Sequence, residues 1–283
     1  MKCTTWAWGS NTENPSDEMD LVARENEILR LLNIVSKSGI DFIVVGGYAV
    51  SAHAKHRFSV DCDLVAKASD LRSLGVLLEK EGFDKRKEND EFDETYGGRF
   101  IRYVKKINEL PVSIDLLINS LVCRQTGGSW SYDYVSANSV DAYVPGIQES
   151  VRAKIPTKEL LMAFKLHSGR RPDVRDVVML GEEADWKAVL DHMNRGSPKE
   201  LKSNLKRFIE SLEDKRLIDS LKGEFTLHGD VGPRIRRSTE QVQKILDELD
   251  EKTEHESSSP RNRGKRPKVI ASGGFNSELP SWL

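Results

Sequence analysis

Two aspartates one residue apart stand inside an apolar run, Val60-Asp61-Cys62-Asp63-Leu64-Val65. Side chains two apart on a strand share a face, so Asp61 and Asp63 project together while Cys62 and Leu64 turn to the core. Paired carboxylates repel each other and are eased by a cation between them, which makes a divalent metal the natural third party. Upstream, the apolar run Phe42 to Val45 ends in Gly46-Gly47. Glycine lets a backbone approach a ligand closely, and a glycine pair that opens a helix at a strand end suits a phosphate lying against backbone N–H groups. A third acid, Asp115, stands in the strand-like run Val112 to Ile118. A lone carboxylate is costly to bury unpaired, so Asp115 either faces the metal site or reaches a partner.

A second informative stretch runs from Phe164 to Leu180, FKLHSGRRPDVRDVVML. Lys165 lies between apolar Leu161 and Leu166, where an ammonium needs an anionic partner. The plainest account is a snorkelling lysine beside a surface arginine cluster paired with Asp173 and Asp176.

In its order and spacing, the glycine pair, short helical segment and Asp-x-Asp strand resemble the nucleotidyltransferase fold of the DNA polymerase β superfamily. Arg57-Phe58-Ser59-Val60-Asp61-Cys62-Asp63 is similar to the Arg-x-Thr-x-Asp-x-Asp form of the AbiEii/MenT toxin type, with Ser59 keeping the hydroxyl of the threonine it replaces. The resemblance spans roughly residues 41 to 180, about half the chain. It implies transfer of a nucleoside monophosphate from an NTP, with Mg²⁺ or Mn²⁺ held by Asp61, Asp63 and Asp115. It further implies that Gly46 and Gly47 admit the phosphates, that Arg57 and Ser59 steady them, that Lys165 contacts them, and that Asp176 orients the site. Gly169 and Pro172 depart from the family's usual linker. A tRNA or protein acceptor and an antitoxin protein partner follow from the resemblance alone. An antibiotic-type enzyme with a small-molecule acceptor would share every one of these residues, and a nucleotide-binding module without catalysis would not need all three acids.

These groups need a core to hold them. With 283 residues, 38% hydrophobic and 31% charged, the composition is that of an ordinary globular protein. The formal net charge of −2 supplies no global cationic field to recruit nucleic acid. No run is long enough to span a bilayer, and the N-terminus lacks a signal-peptide apolar region, so a cytoplasmic protein is expected. Cys3, Cys62 and Cys123 have no CxxC spacing, which argues for free thiols rather than a disulfide frame or a zinc site.

Periodicity predicts an α/β fold, a small mixed sheet followed by a helical C-terminal region. The expected division is a disordered leader at 1–19, a nucleotidyltransferase core at 20–150, helices at 151–251 and a disordered basic tail at 252–283. Helices are expected from Asp20 to Ser38, from Ser69 to Glu81, and, beyond residue 156, behind Thr157, Asp173, Asp185, Ser197 and Ser238. The charged segment between Phe83 and Gly98 reads as a hairpin loop or flap. Trp130, Tyr132, Tyr134 and Tyr143 read as an aromatic edge hairpin in preference to a base-stacking platform. The cations at Arg261, Arg263, Lys265, Arg266 and Lys268 suit either a solvated tail or a nucleic-acid-contacting arm. His53 and His56 carry no assigned role.

Overall fold

The computed structural model describes residues 15–258. Its first half runs α1 (Pro15–Lys37), β1 (Phe42–Val45), α2 (Gly46–His53), β2 (Asp61–Ala66), α3 (Leu71–Lys80), β3 (Asp84–Asp93), β4 (Gly98–Ile107), β5 (Leu110–Ile118), β6 (Ser120–Cys123) and β7 (Gly128–Ser131). There follow α4 (Tyr132–Ala137), β8 (Ser139–Pro145), β9 (Ser150–Pro156), α5 (Lys158–Ser168), α6 (Arg171–Leu180), α7 (Trp186–Met193), α8 (Pro198–Leu212), α9 (Arg216–Glu224) and α10 (Gly232–Ser258). The protein is thus α/β, with a small mixed sheet and a helical C-terminal region.

Five strands pair in the order β1-β2-β5-β4-β3, with β2 and β5 parallel and the other neighbours antiparallel. The central strands are Val/Ile/Leu-rich because both their faces are covered, and Ile43, Val44, Leu64, Val65, Ile114 and Leu116 are all buried. Register sets the site. Val45 pairs with Asp63, Asp63 with Asp115, and Asp115 with Arg102, so one row across the sheet carries two acids and an arginine side by side. Residues paired across strands share a face of the sheet.

Several expectations change. The charged segment after Phe83 is the edge strand β3, with register shifts between Lys85 and Lys87 and between Asn89 and Asp93. Charge and bulges are how an edge strand avoids pairing with another chain, so the charged pattern that reads as a loop belongs to a strand. The stretch with the aromatics is not one hairpin. Trp130 lies in β7, Tyr132 and Tyr134 in α4, whose N-cap is Ser131, and Tyr143 in β8. A helical region beginning at residue 151 is interrupted at once by β9, which pairs with β8. The leader expected at 1–19 overlaps α1, which begins at Pro15, and α10 extends on both sides of the expected Ser238–Leu249 helix. The caps expected at Thr157, Asp185 and Ser197 accept the backbone N–H groups of Leu160, of Lys187 and Ala188, and of Glu200. Ser69 does not cap α3, which starts behind Asp70 without a side-chain cap. Cys62 and Cys123 are free and buried, whereas Cys3 and the basic cluster at 261–268 lie outside the described residues. Among the described residues no helix is long and apolar enough to cross a membrane.

Candidate active site

The turn from β1 into α2 is built by glycine. Gly46 has φ +66°, in the left-handed region, and a Cβ there would collide with the Asp63 carboxylate. A Cβ on Gly47 would lie 3.0 Å from Ser59 Oγ and 3.1 Å from Arg57 Nη2. Both glycines therefore keep backbone against the acids and against the Arg57–Ser59 loop, as a close approach requires. Tyr48, one residue on, donates its hydroxyl to the Ser59 carbonyl at 2.8 Å and ties that loop to α2. Ser59 Oγ in turn donates to the Asp61 carbonyl at 3.0 Å.

Asp61 and Asp63 both line one cavity of about 190 Å³, together with Gly46, Gly47, Arg57 and Ser59. Asp61 accepts a short hydrogen bond from Ser113, its cross-strand neighbour. Asp63 is only 6% exposed, and its Oδ1 has no hydrogen-bond partner. Burial first, then the charges of Asp115 and Asp61, push its carboxyl up to about 8. An orphaned buried carboxylate oxygen is costly, and a carboxyl held as Asp63 is, buried beside like charge, answers to a bound cation. Asp61 and Asp63 accordingly fit a divalent ion.

Asp115 is fully buried beside Asp63 and reaches a partner that its own strand does not foretell. Arg102 on β4 grips it with two hydrogen bonds, Nε to Oδ1 at 2.7 Å and Nη2 to Oδ2 at 2.5 Å. Among the described residues no three His, Cys, Asp or Glu side chains are gathered so as to hold an ion. Asp115 could join Asp61 and Asp63 only by sharing its oxygens with Arg102.

The opposite wall of the cavity comes from the junction of α5 and α6 and carries Lys165, Arg170 and Asp173. Lys165 does not snorkel; it is 6% exposed and held between Asp173 at 2.9 Å and Asp176 at 2.8 Å. Burial alone would lower its pKa, but the two aspartates outweigh that and raise it. Asp176 also takes the fork of Arg57, at 3.0 Å to Nε and 3.1 Å to Nη2, which joins the β2 side of the cleft to α6. Asp173 is not the N-cap of α6. The helix starts at Arg171, and Asp173 in its first turn accepts the Arg170 backbone N–H at 3.2 Å and the Arg170 guanidinium at 2.9 and 3.1 Å. Burial would raise the Asp173 carboxyl, yet Lys165 and Arg170 hold it down to about 2.

Gly46, Gly47, Arg57, Ser59, Asp61, Asp63 and Lys165 thus meet at one cavity, Asp115 stands behind Asp63, and Asp176 stands behind Arg57 and Lys165. Arg102 and Arg170 are the members that sequence reasoning missed. Arg170 carried a signal in its place next to Gly169 at a helix start; Arg102 carried none, because its partner lies across a strand pairing. The histidines are structural: His53 reaches the Pro156 carbonyl at 2.7 Å and His56 the Glu25 carboxylate at 2.6 Å.

No protein-family model matches the chain, and no curated protein matches it. Among solved structures, JHP933 from Helicobacter pylori is similar over 84% of this chain and 97% of its own, at 15% identity and a TM-score of 0.43. The lincomycin-bound lincosamide antibiotic adenylyltransferase LnuA is similar over 56% of this chain and 98% of its own, at 17% identity and a TM-score of 0.38. The antibiotic-resistance factor ANT(2'')-Ia is similar over 83% of this chain and 97% of its own, at 13% identity and a TM-score of 0.32. Each is a distant similarity of chain trace, and the chemistry of the site is read from its own side chains.

Proposed function

We propose that the protein is a nucleotidyltransferase that moves a nucleoside monophosphate from an NTP to an acceptor hydroxyl with release of pyrophosphate. One observation carries this reading: the unpartnered, buried Oδ1 of Asp63 stands beside Asp61, against a glycine turn, in a cavity whose far wall presents Lys165 and Arg170. Mg²⁺ or Mn²⁺, held by Asp61 and Asp63, supplies neutralisation of the triphosphate and polarisation of the reacting oxygens. Gly46 and Gly47 leave room for phosphate oxygens against the backbone N–H groups that open α2. Arg57 and Ser59 hold the triphosphate on the β2 side of the cleft, and Lys165 offsets its charge from α5. Asp176 keeps Arg57 and Lys165 in place by pairing with both. The acceptor oxygen forms a bond to the α-phosphorus, the α–β anhydride bond breaks, and the hydroxyl proton is lost to solvent. Asp115, the third acid, stands next to Asp63 in the row with its own charge met by Arg102.

The resemblance to toxin-type enzymes favours tRNA or a protein as acceptor, with an antitoxin as partner; a small antibiotic-like acceptor is the competing reading within the same chemistry. The test is to incubate the protein with each α-labelled NTP, Mg²⁺ or Mn²⁺, and total cellular RNA, protein or aminoglycoside and lincosamide mixtures. Label entering one fraction, and pyrophosphate released in equal amount, is the expected result. Label in none of them with any NTP, from protein that also fails to bind NTP, would sink the proposal.

A further inference from the structure

The acid row already contains a cation. Asp63, Asp115 and Arg102 are consecutive cross-strand partners, and Arg102 commits its fork to both oxygens of Asp115. With Asp61 two residues before Asp63, three carboxylates and one guanidinium leave two negative charges when all are ionised, the charge of one divalent ion and not of two. The three acids also act on Arg102, whose pKa is raised by its hydrogen bonds to Asp115 and by the charges of Asp61 and Asp63. Mg²⁺ demands near-ideal octahedral oxygen ligation and binds through one or two carboxylates. A carboxylate whose two oxygens face a guanidinium offers such an ion little, and the guanidinium repels it.

We propose that Arg102 is the resident counter-ion of the acid row: it stands in for a second divalent ion at Asp115, so the protein without nucleotide takes up one ion, between Asp61 and Asp63. Arg102 is a positioning residue in this scheme, acting on the ion through Asp115. The inference rests on the proposed metal-binding role of Asp61 and Asp63, and the two can fail separately.

Mn²⁺ is titrated into the full chain without nucleotide, and the free ion is counted by electron paramagnetic resonance. Wild type should bind one ion. Arg102→Gln, which takes the guanidinium from Asp115, should bind a second ion or hold the first at least ten-fold tighter. Arg102→Gln/Asp115→Asn, which removes the acid's charge as well, should return to one ion at the wild-type affinity. Should Arg102→Gln not fold, Arg102→Lys replaces the fork by a single ammonium, and Mn²⁺ should then raise its melting temperature more than that of wild type. Two equivalent ions in wild type would overturn the role of Arg102. So would Arg102→Gln binding like wild type, or equal melting shifts for wild type and Arg102→Lys. Asp63→Asn should lose the ion; if it binds Mn²⁺ like wild type, the metal-binding pair itself is misassigned, whatever Arg102 does.

Discussion

The two walls of the cleft handle buried charge in opposite ways. On the sheet, Asp61, Asp63 and Asp115 crowd together with one arginine among them, and an oxygen of Asp63 is left without a partner. On the helices, Lys165, Asp173 and Asp176 alternate in sign with Arg57 and Arg170 at the ends, and each carboxylate meets two cations. A buried network that is fully paired holds a structure in one arrangement, whereas a half-paired one is unstable until something completes it. The sheet wall therefore reads as the place where a ligand ion acts, and the helix wall as the preorganised frame that faces it. Their pKa directions agree. The Asp63 carboxyl is pushed up to about 8 by burial and like charge, while the Asp173 carboxyl, despite burial, is held down to about 2 by its cations.

The largest expected effect breaks the sheet wall. Asp61→Ala and Asp63→Ala should each bring transfer below detection while near-native circular dichroism is kept, because each removes a proposed ion ligand and neither side chain is the ion-pair partner of a cation. Normal turnover by either variant, measured as pyrophosphate release, would show that the crowded acids are not the reactive wall.

Next in size is the helix wall. Lys165→Ala leaves Asp173 and Asp176 buried with their shared cation gone, and breaking a buried pair from one side costs about 3–5 kcal/mol. Urea unfolding should register that loss in the absence of any nucleotide. A loss under about 1 kcal/mol, together with a large drop in NTP affinity, would instead make the ammonium chiefly a phosphate ligand.

What was legible in the sequence follows the same division. Asp61, Asp63, Gly46 and Gly47 could be placed because their relations are local: a two-residue spacing on a strand, and a turn at a strand end. Asp115 was visible as an acid in an apolar run, but its partner was not, since Arg102 meets it only through the β4–β5 register. The strand β3 was hidden for the reason that makes it a good edge, its charge, whereas β9 carried its signal openly: Val151, Ala153 and Ile155 alternate with Ser150, Arg152 and Lys154, and the strand is masked only by the helical region that begins directly after it. Lys165 could be assigned a need for an anion, while the choice between phosphate and aspartate is made by the packing of α5 against α6. Asp173 looked like a cap because Asp commonly is one. Pro172 at the second helical position shifts the start of α6 back to Arg171, which turns Asp173 into a first-turn acceptor.

The walls should also part company in acid and base. Asp63 binds its proton more tightly in the folded protein than at its ordinary carboxylate value of 3.8, which applies when the chain is unfolded. The folded state therefore holds more protons between pH 4 and 8, and stability of the ion-free protein should fall as pH rises through that window, by at most about 1.4 kcal/mol per pH unit. Asp173 has the reverse sign: its stabilisation is present above the unfolded value and is lost as pH falls toward 2. Asp63→Asn should flatten the upper slope and leave the acid limb in place. An unchanged upper slope in that variant would assign the destabilisation to another group.

The smallest effect tests the join between the walls. Arg57 reaches Asp176 through two parallel hydrogen bonds, and Asp176 keeps Lys165 at 2.8 Å whatever happens to Arg57. Arg57→Lys keeps the charge and loses the fork, so Asp176 remains neutralised and one charge-assisted hydrogen bond is given up, a cost of about 1–2 kcal/mol. The substitution should act more on nucleotide than on folding, because Arg57 lines the cavity beside Gly47, where the guanidinium presents a broad cationic face to a triphosphate and a lysine would present a single ammonium. NTP affinity and melting temperature measured on the same preparation decide the matter. A variant that melts several degrees lower yet binds NTP as wild type does would make Arg57 a strut of the helix wall alone, and the two walls would then meet the substrate without a shared residue.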